Sequence, residues 1–66
     1  MTVYVAVRRE TPLLDMGILG VTSDYEAALD MVQTEINYCT QHNYPVTIED
    51  FVIDEKQLVV SEHNPL

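Results

Sequence analysis

Apolar and polar positions alternate at the start of the chain, with Val3, Val5 and Val7 on one face of an extended run and Thr2, Tyr4, Ala6 and Arg8 on the other. β-Branched and aromatic residues at a period of two predict a strand, here the central one of a sheet. Residues 10–15 contain Thr11-Pro12 and read as a loop. Residues 16–22 then carry Ile18, Leu19 and Val21 with Gly17 and Gly20 among them. Glycines inside a strand pattern predict a bulge or a close backbone approach, and the two runs form an antiparallel hairpin.

The period then lengthens to that of a helix. Tyr25, Ala28, Leu29, Val32, Ile36 and Cys39 share one side of a helical wheel over residues 23–42. Ser23 with Glu26 three residues later has the spacing of a capping box, Asn43 suits a left-handed cap, and Pro45 ends the helix. Residues 46–54 are a third extended run whose alternation slips. Val46 and Ile48 share one face and Phe51 and Ile53 the other, so a bulge near Glu49-Asp50 is predicted, with Val52 pointing outward. Residues 54–57 are polar enough for a turn, residues 58–60 read as a short fourth strand, and residues 62–66 as a flexible tail.

These elements predict an α+β domain over residues 1–61, a ββαβ(β) layer in which one long helix packs on a small, mainly antiparallel sheet. The strand order is 2-1-3, with the fourth strand beside the third. A single helix covers one sheet face only. The uncovered face is predicted to carry Tyr4, Ala6 and Val52, and a secondary helical stripe holds Ala27, Met31 and Tyr38. Tyr4, Met31, Tyr38 and Val52 are therefore the candidate apolar contacts, and a homodimer is the expected state.

Size and charge sharpen this picture. A chain of 66 residues has little interior to stabilise it and commonly needs a metal, disulfides or a second subunit. The single cysteine, Cys39, forms no internal disulfide and sits on the buried stripe, which fits a reducing cytoplasm. The apolar run at residues 3–7 is too short to span a membrane, so a soluble, unprocessed chain is expected. Eleven Asp and Glu stand against three Lys and Arg, a net charge of −8, which repels nucleic acid and anionic membrane and attracts basic surfaces. With 47% hydrophobic residues the chain is a folded acidic domain, not an acidic tail.

Candidate chemistry is sparse. Cys39 and His42 are three apart, but neither CxxC nor HxxxH spacing accompanies them, and a core cysteine beside a helix-end histidine accounts for both. Glu49-Asp50 and Asp54-Glu55 place four carboxylates in seven residues without the D-x-D-x-D-G loop of a calcium site. No catalytic residue, metal ligand or cofactor is assigned, and no enzymatic activity is expected. Of the tyrosines, Tyr25 reads as core and Tyr38 as a contact residue.

The acidity itself has a bland reading, solubility, against which stands its one-sidedness. Glu26 and Asp30 are four apart with no lysine between them, which costs a few tenths of a kcal/mol. In size, acidity and compact α/β make-up the whole chain resembles the small phage-encoded DNA-mimic proteins that shut down host factors, among them bacterial histone-like nucleoid protein. That resemblance implies an inhibitor in the host cytoplasm that occupies the basic DNA-binding surface of a nucleic-acid-binding protein, with Glu26, Asp30, Glu49, Asp50, Asp54 and Glu55 as its acidic surface. The alternative from the residues themselves is a small adaptor that binds a protein partner through an apolar sheet or helix face.

Overall fold

A computed structural model describes residues 1–58. Strand β1 (Thr2–Arg8) is central, β2 (Gly17–Thr22) and β3 (Phe51–Gln57) pair with it antiparallel in the order β2-β1-β3, and helix α1 (Tyr25–Gln41) lies across one face. The α+β class, the hairpin and the order 2-1-3 agree with the sequence pattern. Leu58 follows β3 with its amide donating to the Met1 carbonyl at 2.7 Å. The rest of the predicted fourth strand and the predicted tail lie outside the described residues.

The helix begins one residue later than the Ser23 capping box predicts. Asp24 is the N-cap, and its carboxylate accepts from the Glu26 amide at 3.0 Å. Its own amide donates to Thr22 Oγ1 at 3.1 Å, which ties the cap to the end of β2. A carboxylate at this position also complements the positive end of the helix dipole. Asp24→Ala is accordingly expected to cost about 1 kcal/mol in urea unfolding, and Ser23→Ala only a few tenths. At the other end Asn43 has a φ of 61°, the predicted left-handed cap, and the Tyr44 amide donates to the Cys39 carbonyl at 2.8 Å.

Residues predicted as the start of the third strand form instead a 3₁₀ turn, Ile48–Asp50. The Asp50 carboxylate accepts from the Thr47 amide at 2.8 Å, so the acidic pair closes a turn where a bulge is predicted. The strand starts at Phe51 and runs on through the segment predicted to turn, with Glu55 opposite Tyr4 and Gln57 opposite Thr2. Charged side chains suit this position, since among the described residues β3 is an edge strand and charge there discourages unwanted pairing.

The larger correction concerns which face of β1 is covered. Tyr4 and Ala6 face the helix, and Val3, Val5 and Val7 face away from it, the reverse of the sequence expectation. Ala6 and Ala28 are both fully buried, together with Val32 and Phe51. Two alanines at the contact let helix and sheet approach closely, and the valines, with β-carbons branched on every residue, hold no such gap. Both faces of β1 are apolar, so alternation alone gives no means of choosing between them. Tyr4 packs edge-to-face on Tyr25 with ring centres 5.4 Å apart.

The predicted bulge lies in β2. Ala6 pairs with Gly20 but Val7 pairs with Ile18, so Leu19 is the extra residue. Leu19 thereby turns toward the core, and both Ile18 and Val21 end on the far face with the valines.

Candidate docking groove

Helix α1 packs on β1 and β2 and makes little contact with β3. Gly20 leaves room on the β2 side. A β-carbon at Gly20 would meet the Met31 sulfur at 2.7 Å, so Met31 occupies the space that this glycine leaves open and draws α1 toward β2. The consequence is a groove of about 230 Å³ on the other side, between α1 and β3.

Its lining side chains are mainly apolar, with the Tyr25 hydroxyl among them. Tyr25, Leu29 and Val32 form one wall, Phe51 and Ile53 the other, and Ile48 closes the end. Val32 and Phe51 are the buried floor, whereas Tyr25, Leu29 and Ile48 are exposed, Ile48 by 63%. Tyr25 and Leu29 belong to the stripe expected to be core. They stand at the groove edge because the helix is rolled away from β3. From Tyr25 to Val32 the helix rises about 10 Å, room for two turns of a helix or a few extended residues.

Three of the six acids picked out from the sequence are near neighbours in the chain of residues that line this groove, though none lines it. Glu26 precedes Leu29 by three residues on the exposed flank of α1, Glu55 follows Ile53 by two on the same face of β3, and Glu49 adjoins Ile48. The other three are placed elsewhere. Asp30 lines a second depression on the β2 side with Leu19, Met31, Thr34 and Glu35. Asp50 is engaged with the Thr47 amide, and Asp54, opposite Val5, faces the uncovered side of the sheet. Of the apolar contacts picked out from the sequence, Tyr4 and Met31 lie inside the helix–sheet layer and Val52 is on the uncovered face. Tyr38 is exposed near the end of α1, with the His42 ring 4.3 Å away. The groove itself was hidden from pattern reading, because Ile48 and the roll of α1 depend on the 3₁₀ turn and on Gly20.

Two of the three basic side chains, Arg8 and Lys56, are held away from the groove, whereas the Arg9 amide donates to the Asp50 carbonyl at 2.7 Å, which sets Arg9 beside the turn that carries Glu49. Arg8 is bound by an ion pair to Glu35 and also donates to the Asp15 carbonyl at 2.9 Å. Lys56, opposite Val3, is on the other face of the sheet, and Arg9 is exposed beyond the end of β1. Cys39 is buried beside Glu35, and its thiol donates to that carboxylate at 3.6 Å. Burial and the neighbouring Glu35 charge push the thiol pKa up, so the sulfur stays protonated at neutral pH and is a poor nucleophile. His42, at the helix end, is exposed, with its ring against Tyr38 and its amide donating to the Cys39 carbonyl at 3.2 Å.

Among the described residues no group of three or more His, Cys, Asp or Glu is placed to hold a metal ion, and no helix is long and apolar enough to cross a membrane. Comparison with protein-family models, curated proteins and solved structures gives no match.

Proposed function

We propose that the protein is a non-enzymatic binding domain that takes a basic, amphipathic segment of a protein partner into the groove between α1 and β3. The observation that supports this is an open, mainly apolar trough whose lining residues are flanked in the chain by Glu26, Glu49 and Glu55. Leu, Ile or aromatic anchors from the partner fill the trough and remove Leu29 and Ile48 from water. Lysines or arginines flanking those anchors meet these carboxylates, which speeds encounter and selects the partner. Basic segments are what nucleic-acid-binding proteins present to DNA, and holding one here keeps it from its duplex. In that form the domain is an acidic inhibitor of a DNA-binding protein, and its net charge of −8 keeps it from binding nucleic acid directly.

The test uses a synthetic peptide of alternating lysine and leucine pairs at helical spacing, with polylysine of equal charge as control. Binding is followed by tyrosine fluorescence. The peptide is expected to bind at least ten-fold more tightly than polylysine, and Leu29→Lys and the double variant Glu26→Lys/Glu55→Lys are each expected to weaken it about ten-fold. Val21→Lys, on the opposite side of the molecule, leaves it unchanged. Equal binding of polylysine, with no effect of Leu29→Lys, overturns the groove reading and leaves diffuse charge as the attraction.

A further inference from the structure

Met31 stands apart from the other methionines. Met1 and Met16 are 76% and 62% exposed and take no part in the core, whereas Met31 is half-buried and packs against it. Its sulfur fills the space above Gly20, where an added β-carbon would lie 2.7 Å from the sulfur and 3.0 Å from the terminal methyl. Gly20 is paired in the sheet with the fully buried Ala6, so this contact seats α1 on β2 at the margin of the core. The same side chain also lines an open depression of about 310 Å³ with Leu19, Asp30, Thr34 and Glu35. One thioether thus joins two elements and is reachable from solvent.

We infer that Met31 is a site of oxidation by hydrogen peroxide, and that its sulfoxide releases α1 from β2. A lone pair on the sulfur attacks one peroxide oxygen, and the S–O bond forms as the O–O bond breaks. The departing hydroxide takes up the proton of the transferred oxygen and leaves as water. The sulfur loses two electrons and the peroxide gains them, so no further reactant is needed. Neutral peroxide is the oxidant that the depression suits. The space is ample for a molecule little larger than water, and the Asp30 carboxylate, which makes no ion pair among the described residues, repels anionic oxidants.

The change of polarity drives the release. A thioether is a flexible apolar filler, but a sulfoxide oxygen loses free energy wherever it finds no hydrogen bond. Gly20 and Leu19 have no side-chain donor, and the amides of a strand lie in the plane of the sheet. Water and Thr34 are on the other side, at the depression. The oxidised side chain swings out toward them and leaves the space above Gly20 empty. Met31 lies between Leu29 and Val32 in α1, so the wall of the docking groove moves with it and the groove loses affinity for its ligand. That last step rests on the proposed function, whereas the oxidation and the release do not.

Peroxide treatment of the folded chain tests the inference, with peptide mass mapping to count the oxygen atoms added at each methionine and circular dichroism melts of each product. Oxidation at Met1 and Met16 alone is expected to leave the melting temperature unchanged. Oxidation at Met31 follows more slowly and lowers it by about 7 °C, a ten-fold loss in the folding constant. Met31→Leu keeps the packing volume without the sulfur, and the same dose is expected not to move its melting temperature. Two-dimensional NMR of the oxidised chain should show its largest shifts at Leu19, Gly20 and Val32. A Met31 that resists peroxide while the chain is folded overturns the inference, as does one that is fully oxidised with no change in melting. Binding of the lysine–leucine peptide, measured on the same samples, separates the two readings. A lowered melting temperature with undiminished affinity overturns the coupling to the groove alone, and a peptide that binds neither form overturns the proposed function and leaves the oxidation site standing.

Discussion

Phe51→Ala is expected to lower the melting temperature by about 20 °C. Phe51 is 9% exposed, forms the floor of the core beneath α1, and packs with Ala6, Ala28 and Val32. Truncating a buried phenylalanine to alanine costs about 3–5 kcal/mol, from lost transfer energy and from the cavity left behind. Stability of about 0.1 kcal/mol per residue gives a chain of this length only about 7 kcal/mol in total. The loss is therefore roughly half or more of what holds the fold, and in a domain this small each kcal/mol moves the midpoint by about 5 °C. Val52→Ala, one residue away on the uncovered face, is the control and should cost under about 1.5 kcal/mol. Thermal melts followed at 222 nm distinguish the two. Equal losses would mean that Phe51 is not the centre of the packing.

Arg8→Met is expected to cost about 2 kcal/mol, and Glu35→Leu a similar amount, yet the double variant should lose much less than their sum. Arg8 reaches from the end of β1 to Glu35 on α1 and to the Asp15 carbonyl before β2, so one guanidinium ties three segments. The side chains are 18% and 21% exposed, between the screened surface pair worth under 1 kcal/mol and the buried pair whose breakage costs 3–5. Removing one partner strands the other in a half-dry site beside the Cys39 thiol. Removing both leaves apolar groups of similar size, which is the physical reason for non-additivity. A double-mutant cycle in urea should give a coupling of about 1–2 kcal/mol that shrinks as salt is added. Strict additivity would show that the contact contributes nothing.

Much of the architecture could be read from residue pattern. The period of two in β1, the helical recurrence from Tyr25 to Cys39, and the stop signals at Asn43 and Pro45 each specify local backbone, and the observed elements follow them. The misreadings arise where a choice depends on tertiary contact. Ser23 and Asp24 are both good caps, and the bond from the Asp24 amide to Thr22 decides between them. Asp54, Glu55 and Lys56 look like a turn by composition, yet pairing with Val5, Tyr4 and Val3 keeps them extended. The faces of β1 were exchanged because valine looks more like core than alanine, whereas close approach of the helix favours Ala6 against Ala28. Acidity was legible as a total. Its division among the groove flanks, the Asp50 turn, the β2 side and the uncovered face was not, since it depends on the roll of α1 over Gly20 and Met31.

The central claim is that the α1–β3 groove receives a basic amphipathic segment. Two-dimensional NMR of the isotopically labelled chain, titrated with the lysine–leucine peptide, tests it residue by residue. The account predicts that the largest shifts fall on Tyr25, Leu29, Ile48, Phe51 and Ile53, with smaller ones at Glu26, Glu49 and Glu55. Shifts centred on Ile18 and Val21, or spread over every carboxylate including Asp54, would contradict it.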